Sequence, residues 1–323
     1  MNYFRLHILI ITIILQIWLC SSFVQINTYN NVVHVEDFQI TNEYPVTKED
    51  YKNQFRIERL SHKWAYFEKL LKPEIRIKLN QVNESEIKIG QSKIGGRPDV
   101  PENFEWPTDS KGKHLVFLAQ FNFEEISNEE IDLPQQGMLY FFYSEDQEFW
   151  GYSKEGSDAY RTIFVSTALN LKRAETPKTI KRITDGCFKS CKISFLNAYG
   201  LPNWEHDFVR SHIENGRESD SYFYITVGEE YQTKLFGHSN NIQGVMEFEC
   251  EMIDQGYTWD NLNEATTKSI KAKQYNWNLL FQLDSEEAAE MMWGDVGRLY
   301  FWIKKEDLES RRFDKTWMIL QCT

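Results

Sequence analysis

The chain has 323 residues, with 36 Lys and Arg against 48 Asp and Glu, for a formal net charge of −12. A composition of 41% hydrophobic and 15% aromatic residues can build a large core and excludes global disorder. The acidic balance argues against a nucleic-acid binder, whose phosphates are met by Lys and Arg, and only 8 Pro and 16 Gly exclude collagen-like and linker-rich chains.

The chain opens with an apolar segment. Arg5 and the amino terminus make a small positive region ahead of Ile8–Leu19. A helix of that length is about 18 Å long, short of a ~30 Å hydrocarbon core. Residues 1–22 therefore read as a secretory signal cut after Ser22, with an uncleaved anchor or an accidental apolar start as the alternatives. A lipid on Cys20 fits less well, because bulky Leu19 precedes it. Export would place the protein in the envelope or outside the cell, and without it the protein would be cytoplasmic. Membrane attachment would rest on residues 1–22 alone. Residues 23–45 form a polar leader, and 46–323 read as one α+β domain without a Ser/Gly-rich linker.

Thr47, followed by Asp50, predicts a helix start with a capping box. Tyr51, Phe55, Leu60, Trp64, Phe67 and Leu71 recur at helical spacing, which predicts one long N-terminal helix packed on a sheet and stopped by Pro73. Ile75, Ile77 and Leu79 then alternate with charged residues as in a half-buried strand.

Two segments resemble each other. Val116-Phe-Leu-Ala-Gln120-Phe-Asn-Phe-Glu-Glu125 aligns with Asn278-Leu-Leu-Phe-Gln282-Leu-Asp284-Ser-Glu-Glu287. Gly137-Met-Leu-Tyr-Phe-Phe-Tyr143 aligns with Gly297-Arg-Leu-Tyr-Phe-Trp-Ile303, and Lys93-Ile-Gly-Gly96 faces Lys234-Leu-Phe-Gly237 more loosely. The pattern predicts an internal repeat: two similar sheet-bearing halves, about 75–150 and 230–305, around one core. Between them, residues 151–230 predict shorter strands and a helix near Asn203–Asn215.

These blocks also carry a family resemblance. Ser92-Lys-Ile-Gly-Gly-Arg-Pro98 with Val100-Pro101 and Trp106-Pro107 is similar to the opening motif of YwqG-like proteins, a domain-of-unknown-function family. Trp277–Asp284, Trp293-Gly-Asp-Val-Gly297, Tyr300-Phe301, Phe313-Asp314 and Gln321-Cys322 follow in the family's order. Leu235-Phe-Gly-His238 departs from the Gly-Gly-Tyr-Pro-like turn usual there. The resemblance spans roughly residues 50–323 and implies an α+β fold with two similar halves. It implies no established activity, and bacterial relatives look like accessory or immunity-type proteins.

Little in the sequence signals chemistry. There is no P-loop, no G-x-S-x-G and no H-E-x-x-H. Gly95-Gly96-Arg97-Pro98 reads as a turn between strands, since proline withholds a backbone N–H that a phosphate loop needs. Cys187 and Cys191 can bridge a short loop or form half of a zinc site, but no second pair stands at ligand spacing. Asn83-Glu84-Ser85 is a glycosylation sequon if the host glycosylates exported chains. Glu205-His206-Asp207 with His212 and Glu214 reads as a solvated face, as do the acidic pairs 124–125, 129–130 and 286–287.

Gln120 and Gln282 end apolar strands, where buried amides need partners; they tie the halves together or project into a cleft between them. Asp295, between glycines, suits a turn whose carboxylate bonds nearby N–H groups. Arg97, Gln120, Gln282, Asp284, Trp293 and Asp295 are the candidate ligand-binding residues. No catalytic set, metal or cofactor is indicated. The expected function is non-catalytic binding of a basic protein partner to an acidic surface, with a carboxylate- or metal-dependent enzyme in an inter-half cleft as the alternative.

Overall fold

The computed structural model describes residues 45–226 and 232–323. The signal or anchor expected at 1–22, and the leader apart from Pro45, lie outside them. No helix among the described residues is long and apolar enough to cross a membrane.

The strands are β1 (Lys72–Gln81), β2 (Lys93–Ile94), β3 (Asp99–Val100), β4 (Val116–Asn122), β5 (Met138–Tyr143) and β6 (Tyr160–Val165), then β7 (Lys172–Arg173), β8 (Cys191–Gly200), β9 (Lys234–Phe236), β10 (Trp277–Asp284), β11 (Arg298–Lys304) and β12 (Trp317–Gln321). Ten form one antiparallel sheet in the order β12-β11-β10-β9-β1-β8-β2-β4-β5-β6, and β3 pairs with β7 beside it. The two outer strands approach each other. Tyr160 Oη donates to Thr316 O at 2.7 Å, Thr316 Oγ1 lies 2.8 Å from Thr162 Oγ1, and Leu320 N donates to Trp150 O at 3.1 Å. The sheet is thereby nearly closed, which leaves little exposed strand edge.

The order reads the same from either end when β1 exchanges with β8, β2 with β9, β4 with β10, β5 with β11 and β6 with β12. β2 pairs with β8 and β9 pairs with β1. The long β1–β8 ladder in the middle therefore joins the two sides. β8 is ten residues long and central, so residues 151–230 contribute more than the short strands expected of them.

β4 and β5 are buried on both faces, which is why they read as continuous apolar runs rather than alternating ones. β4–β5 has a register shift between Phe117 and Ala119, and β10–β11 has one between Leu279 and Phe281. Inside the sheet the two hairpins meet through aromatic rings. Phe141 lies 4.7 Å from Phe281 and 4.8 Å from Phe301 between ring centroids, and Phe121 lies 5.0 Å from Phe281. The space between the hairpins is therefore packed core.

The helices are α1 (Lys48–Ile57), α2 (Trp64–Phe67), α3 (Asp207–His212), α4 (Arg217–Thr226), α5 (Glu247–Asp254), α6 (Glu264–Lys273) and α7 (Lys305–Glu309). α1 begins at the Thr47–Asp50 capping box. The single long helix expected over 48–71 is broken. Arg59 adopts φ 63°, its N–H donates to Arg56 O, and Leu60 N donates to Phe55 O at 2.7 Å. Those two bonds are a Schellman ending with arginine where glycine is usual, so the sequence carried no stop signal. Beyond it the apolar stripe continues in α2 and short 3-10 turns, packing Tyr51, Phe55, Leu60 and Phe67 against Tyr222.

Arg59 is exposed and holds a left-handed conformation that disfavours a Cβ. Arg59→Gly is expected to stabilise the protein by about 0.5–1 kcal/mol, read from urea unfolding midpoints at constant m-value. An unchanged or lower midpoint would contradict this account of the break.

Candidate functional site

The two glutamines show how the site region is framed. Both are fully buried. Gln120 Oε1 accepts from Asp99 N at 2.7 Å, and its Nε2 donates to Gln91 O at 2.6 Å and Asp99 Oδ2 at 2.9 Å. Gln282 Oε1 accepts from Asn240 N at 2.9 Å, and its Nε2 donates to Gln232 O at 2.5 Å and Asn240 Oδ1 at 3.1 Å. Facing each across the hairpin, a tyrosine holds the same loop residue: Tyr140 Oη donates to Asp99 O at 2.6 Å and Tyr300 Oη to Asn240 O at 2.7 Å. Each glutamine anchors a loop on its own side. Neither bridges the hairpins nor enters a cleft between them.

The two loops end differently. Asp99 is enclosed: Lys93 Nζ lies 3.5 Å from its carboxylate and Arg173 Nε 2.9 Å. Glu84 completes the cluster, taking Lys93 Nζ at 3.3 Å and Arg97 Nε at 2.8 Å. Gly95 and Gly96, at φ 70° and 69°, turn the chain from β2 to β3 as expected, and a Cβ on Gly95 would sit 2.0 Å from Lys189 O. Arg97 also reaches Glu175 at 3.0 Å.

Asn240, by contrast, is half-buried and faces a cavity of about 370 Å³ lined also by Asn203, Trp204, Glu205, Phe223 and Asn241. Asp284 does not line it. Its carboxylate accepts from Arg298 Nε at 2.8 Å, and that guanidinium, which does line it, donates to Asn240 O at 2.8 Å. The buried Lys234 beneath pairs with Glu74 at 2.9 Å, and Glu74 with Arg76 at 2.8 Å.

Trp293 is core, its Nε1 donating to Asp284 O at 2.9 Å. Asp295 is exposed at the tip of its turn. There its carbonyl, rather than the carboxylate expected to brace the turn, accepts from Thr323 N and Oγ1 at 3.1 and 2.8 Å. The six residues singled out in sequence are thus not brought together: Arg97 and Gln120 lie at the first loop, Gln282 and Asp284 behind the second with the core residue Trp293 against Asp284, and Asp295 at a surface turn. Cys187 and Cys191 are free thiols, and burial pushes Cys191 up to about 12. Among the described residues no group of three or more His, Cys, Asp or Glu is placed to hold a metal.

A second cavity, also about 370 Å³, lies between α3, α5 and α6. Its polar lining includes His206, Asp207, Glu247, Glu249 and Lys271, and its apolar lining Phe248, Trp259 and Tyr275. Phe248 stacks on Trp259 at 5.5 Å, and His206 lies against Tyr275 at 5.3 Å. His206 caps α3 by accepting from Phe208 N and is half-buried, as are Glu205 and His212, while Asp207 and Glu214 are exposed, so the solvated face expected of this cluster holds for only part of it. Burial lowers the pKa of His206, and of Lys72 nearby. Burial raises the two α5 carboxylates that line the cavity. Glu247 moves upward, and Glu249 is pushed up to about 7, with Oε2 buried and without a hydrogen-bond partner. The sequence signal was Glu247-Phe-Glu249-Cys-Glu251, acids interleaved with apolar residues at the start of a helix.

A carboxyl group whose folded pKa lies above its unfolded value is stabilising when protonated, and that contribution is lost as pH rises from about 4.5 through 7. Glu249→Gln is therefore expected to stabilise the protein at pH 8 by about 1–3 kcal/mol and to leave stability unchanged near pH 4.5. Thermal melting of both proteins across that range is the check, and a pH-independent difference would remove Glu249 as its source.

No curated protein matches the chain. With helices and a nearly closed antiparallel sheet laid out as above, and a family model matching residues 92–322, the chain belongs to the DUF1963 family, a domain of unknown function.

Proposed function

We propose that this protein is a non-catalytic binding protein, of accessory or immunity type, whose acidic face receives a basic partner protein. A basic side chain of that partner enters the cavity between α3, α5 and α6. The observation that carries this reading is the Glu249 carboxylate, half-buried in an aromatic-lined cavity with an oxygen that has no hydrogen-bond partner among the described residues. A cationic group placed there would supply the missing partner, and Trp259, Phe248 and Tyr275 offer ring faces to its stem or charge. The net charge of −12 favours encounter with a basic surface.

The carboxylate-enzyme alternative has less support. Phenylalanines occupy the space between the hairpins, and Asp284 is paired with Arg298. We further infer that the chain is an internally repeated, YwqG-like member of its family. Matching glutamine–tyrosine loop anchors, matching register shifts and a strand order that reads alike from both ends support this. The apolar segment Ile8–Leu19 supports export, and intact mass of the native protein, expected to begin at Phe23, is the check.

A short Arg- and Lys-rich peptide is the probe for the cavity, titrated while Trp fluorescence is followed. Its affinity is expected to fall as salt rises, and to increase from pH 6 to pH 8 as Glu249 ionises. In a Glu247→Gln, Glu249→Gln double variant it should weaken by roughly tenfold, about 1.4 kcal/mol. Binding that is indifferent to salt and to both substitutions would sink the reading.

A further inference from the structure

The cavity in front of Asn240 is chemically unlike the acidic one. At the corresponding loop position on the other side of the sheet, Asp99 is fully buried under Lys93 and Arg173. At Asn240 the Arg298 guanidinium takes only the backbone carbonyl, and a space of about 370 Å³ is left in front, within the size range of small-molecule sites.

Its lining has a definite hydrogen-bonding sense. Asn203 Oδ1 accepts from Glu205 N at 3.0 Å, Asn240 Oδ1 from Gln282 Nε2 at 3.1 Å, and Asn241 Oδ1 from Ser239 Oγ. Each amide oxygen already accepts one bond, while the three Nδ2 groups have no partner among the described residues, so the three amides chiefly offer donors. The Glu205 carboxylate, likewise without a partner among the described residues, is an acceptor. Trp204 and Phe223, the latter 51% exposed, add flat apolar faces.

Charge narrows the choice of ligand. Arg298 is the one cation among the described lining residues, and it is bound to Asp284 and to Asn240 O. An anion would meet Glu205 with no uncommitted positive charge to offset it. A wholly apolar ligand would strand three amide donors.

We propose that this cavity binds a neutral, hydroxyl-rich ligand: a pyranose sugar, with hydroxyls against the Asn203, Asn240 and Asn241 amides and Glu205, and a C–H face against Trp204 or Phe223. Hydroxyls both accept and donate, so one ring satisfies amide donors and a carboxylate acceptor together, while the apolar face uses the aromatic surface. This site is independent of the basic-partner reading, and neither depends on the other.

The test is saturation-transfer NMR and calorimetry of the full chain with D-glucose, D-galactose, D-mannose and N-acetyl-D-glucosamine, each also as its methyl glycoside. At least one is expected to bind with Kd on the order of 1 mM. A free sugar that binds while its methyl glycoside does not makes the ligand a free reducing sugar; binding of both makes it a glycan terminus. Phe223→Ala, at an exposed position, is expected to weaken binding about tenfold without changing the melting temperature, and Asn241→Leu to weaken it about tenfold in protein that remains folded, with a lower melting temperature from the lost Ser239 bond. The proposal is overturned if none of the sugars binds, if inorganic phosphate or acetate binds in their place, or if binding survives both substitutions in folded protein.

Discussion

A glutamine in a strand that is buried on both faces must find partners for its amide without help from water. Gln120 and Gln282 meet that constraint in the same way, each taking a backbone carbonyl from the segment before a short strand, β2 or β9, and a backbone N–H and a side-chain oxygen from a residue after it. Leaving any of these unmade would cost about 1–3 kcal/mol, so the loop is fixed as firmly as the strand beneath it. The tyrosine opposite adds a further bond to the same loop residue. The position of Asp99, the position of Asn240, and the shape of whatever lies in front of each follow from this anchoring.

One anchored scaffold then supports two outcomes. At Asp99 the residue is an acid, and the buried Lys93, the half-buried Arg173 and a second acid, Glu84, close over it. Asn240 is neutral and draws no counter-ions. The nearby lysine, Lys234, turns instead to Glu74 and Arg76 in the sheet. An acid with Glu84, Lys93 and Arg173 around it makes a filled ion cluster on one side, and an amide with Arg298 on its backbone carbonyl borders a cavity on the other. The ion cluster fills its own space, whereas the cavity beside Asn240 stays open.

The elements legible in the sequence were those whose signal is local. The hairpin strands announced themselves as apolar runs, the α1 start by its capping box, and the Gly95–Gly96 turn by its residues. The end of α1 was illegible because Arg59 takes a conformation that glycine usually marks. β8 was underweighted because several of its alternate positions stay exposed while its pairing partner, β1, lies more than a hundred residues away. The candidate site was half legible. Gln282 and Asp284 stand out in sequence as polar residues on a core strand, and in the fold they hold Asn240 and Arg298, which sequence alone did not mark. His206 and Glu249 meet only in the fold, so no spacing rule could pair them.

The two cavities are neighbours that share one partition. Asn203, Trp204 and Glu205 face the amide-lined cavity, and the next two residues, His206 and Asp207, face the acidic one. The partition is a short turn held by His206 N to Asn203 O, by Glu205 N to Asn203 Oδ1, and by the His206 cap on Phe208 N. A substitution inside it disturbs both cavities at once, since Asn203 serves as lining and as hinge of the turn. Residues that line one cavity from another element are free of that coupling: Phe223 on α4 for the amide-lined side, Glu249 on α5 for the acidic side. Effects at those two positions separate the chemistry of each cavity from the integrity of the wall between them, because additivity is expected only where no partner is shared.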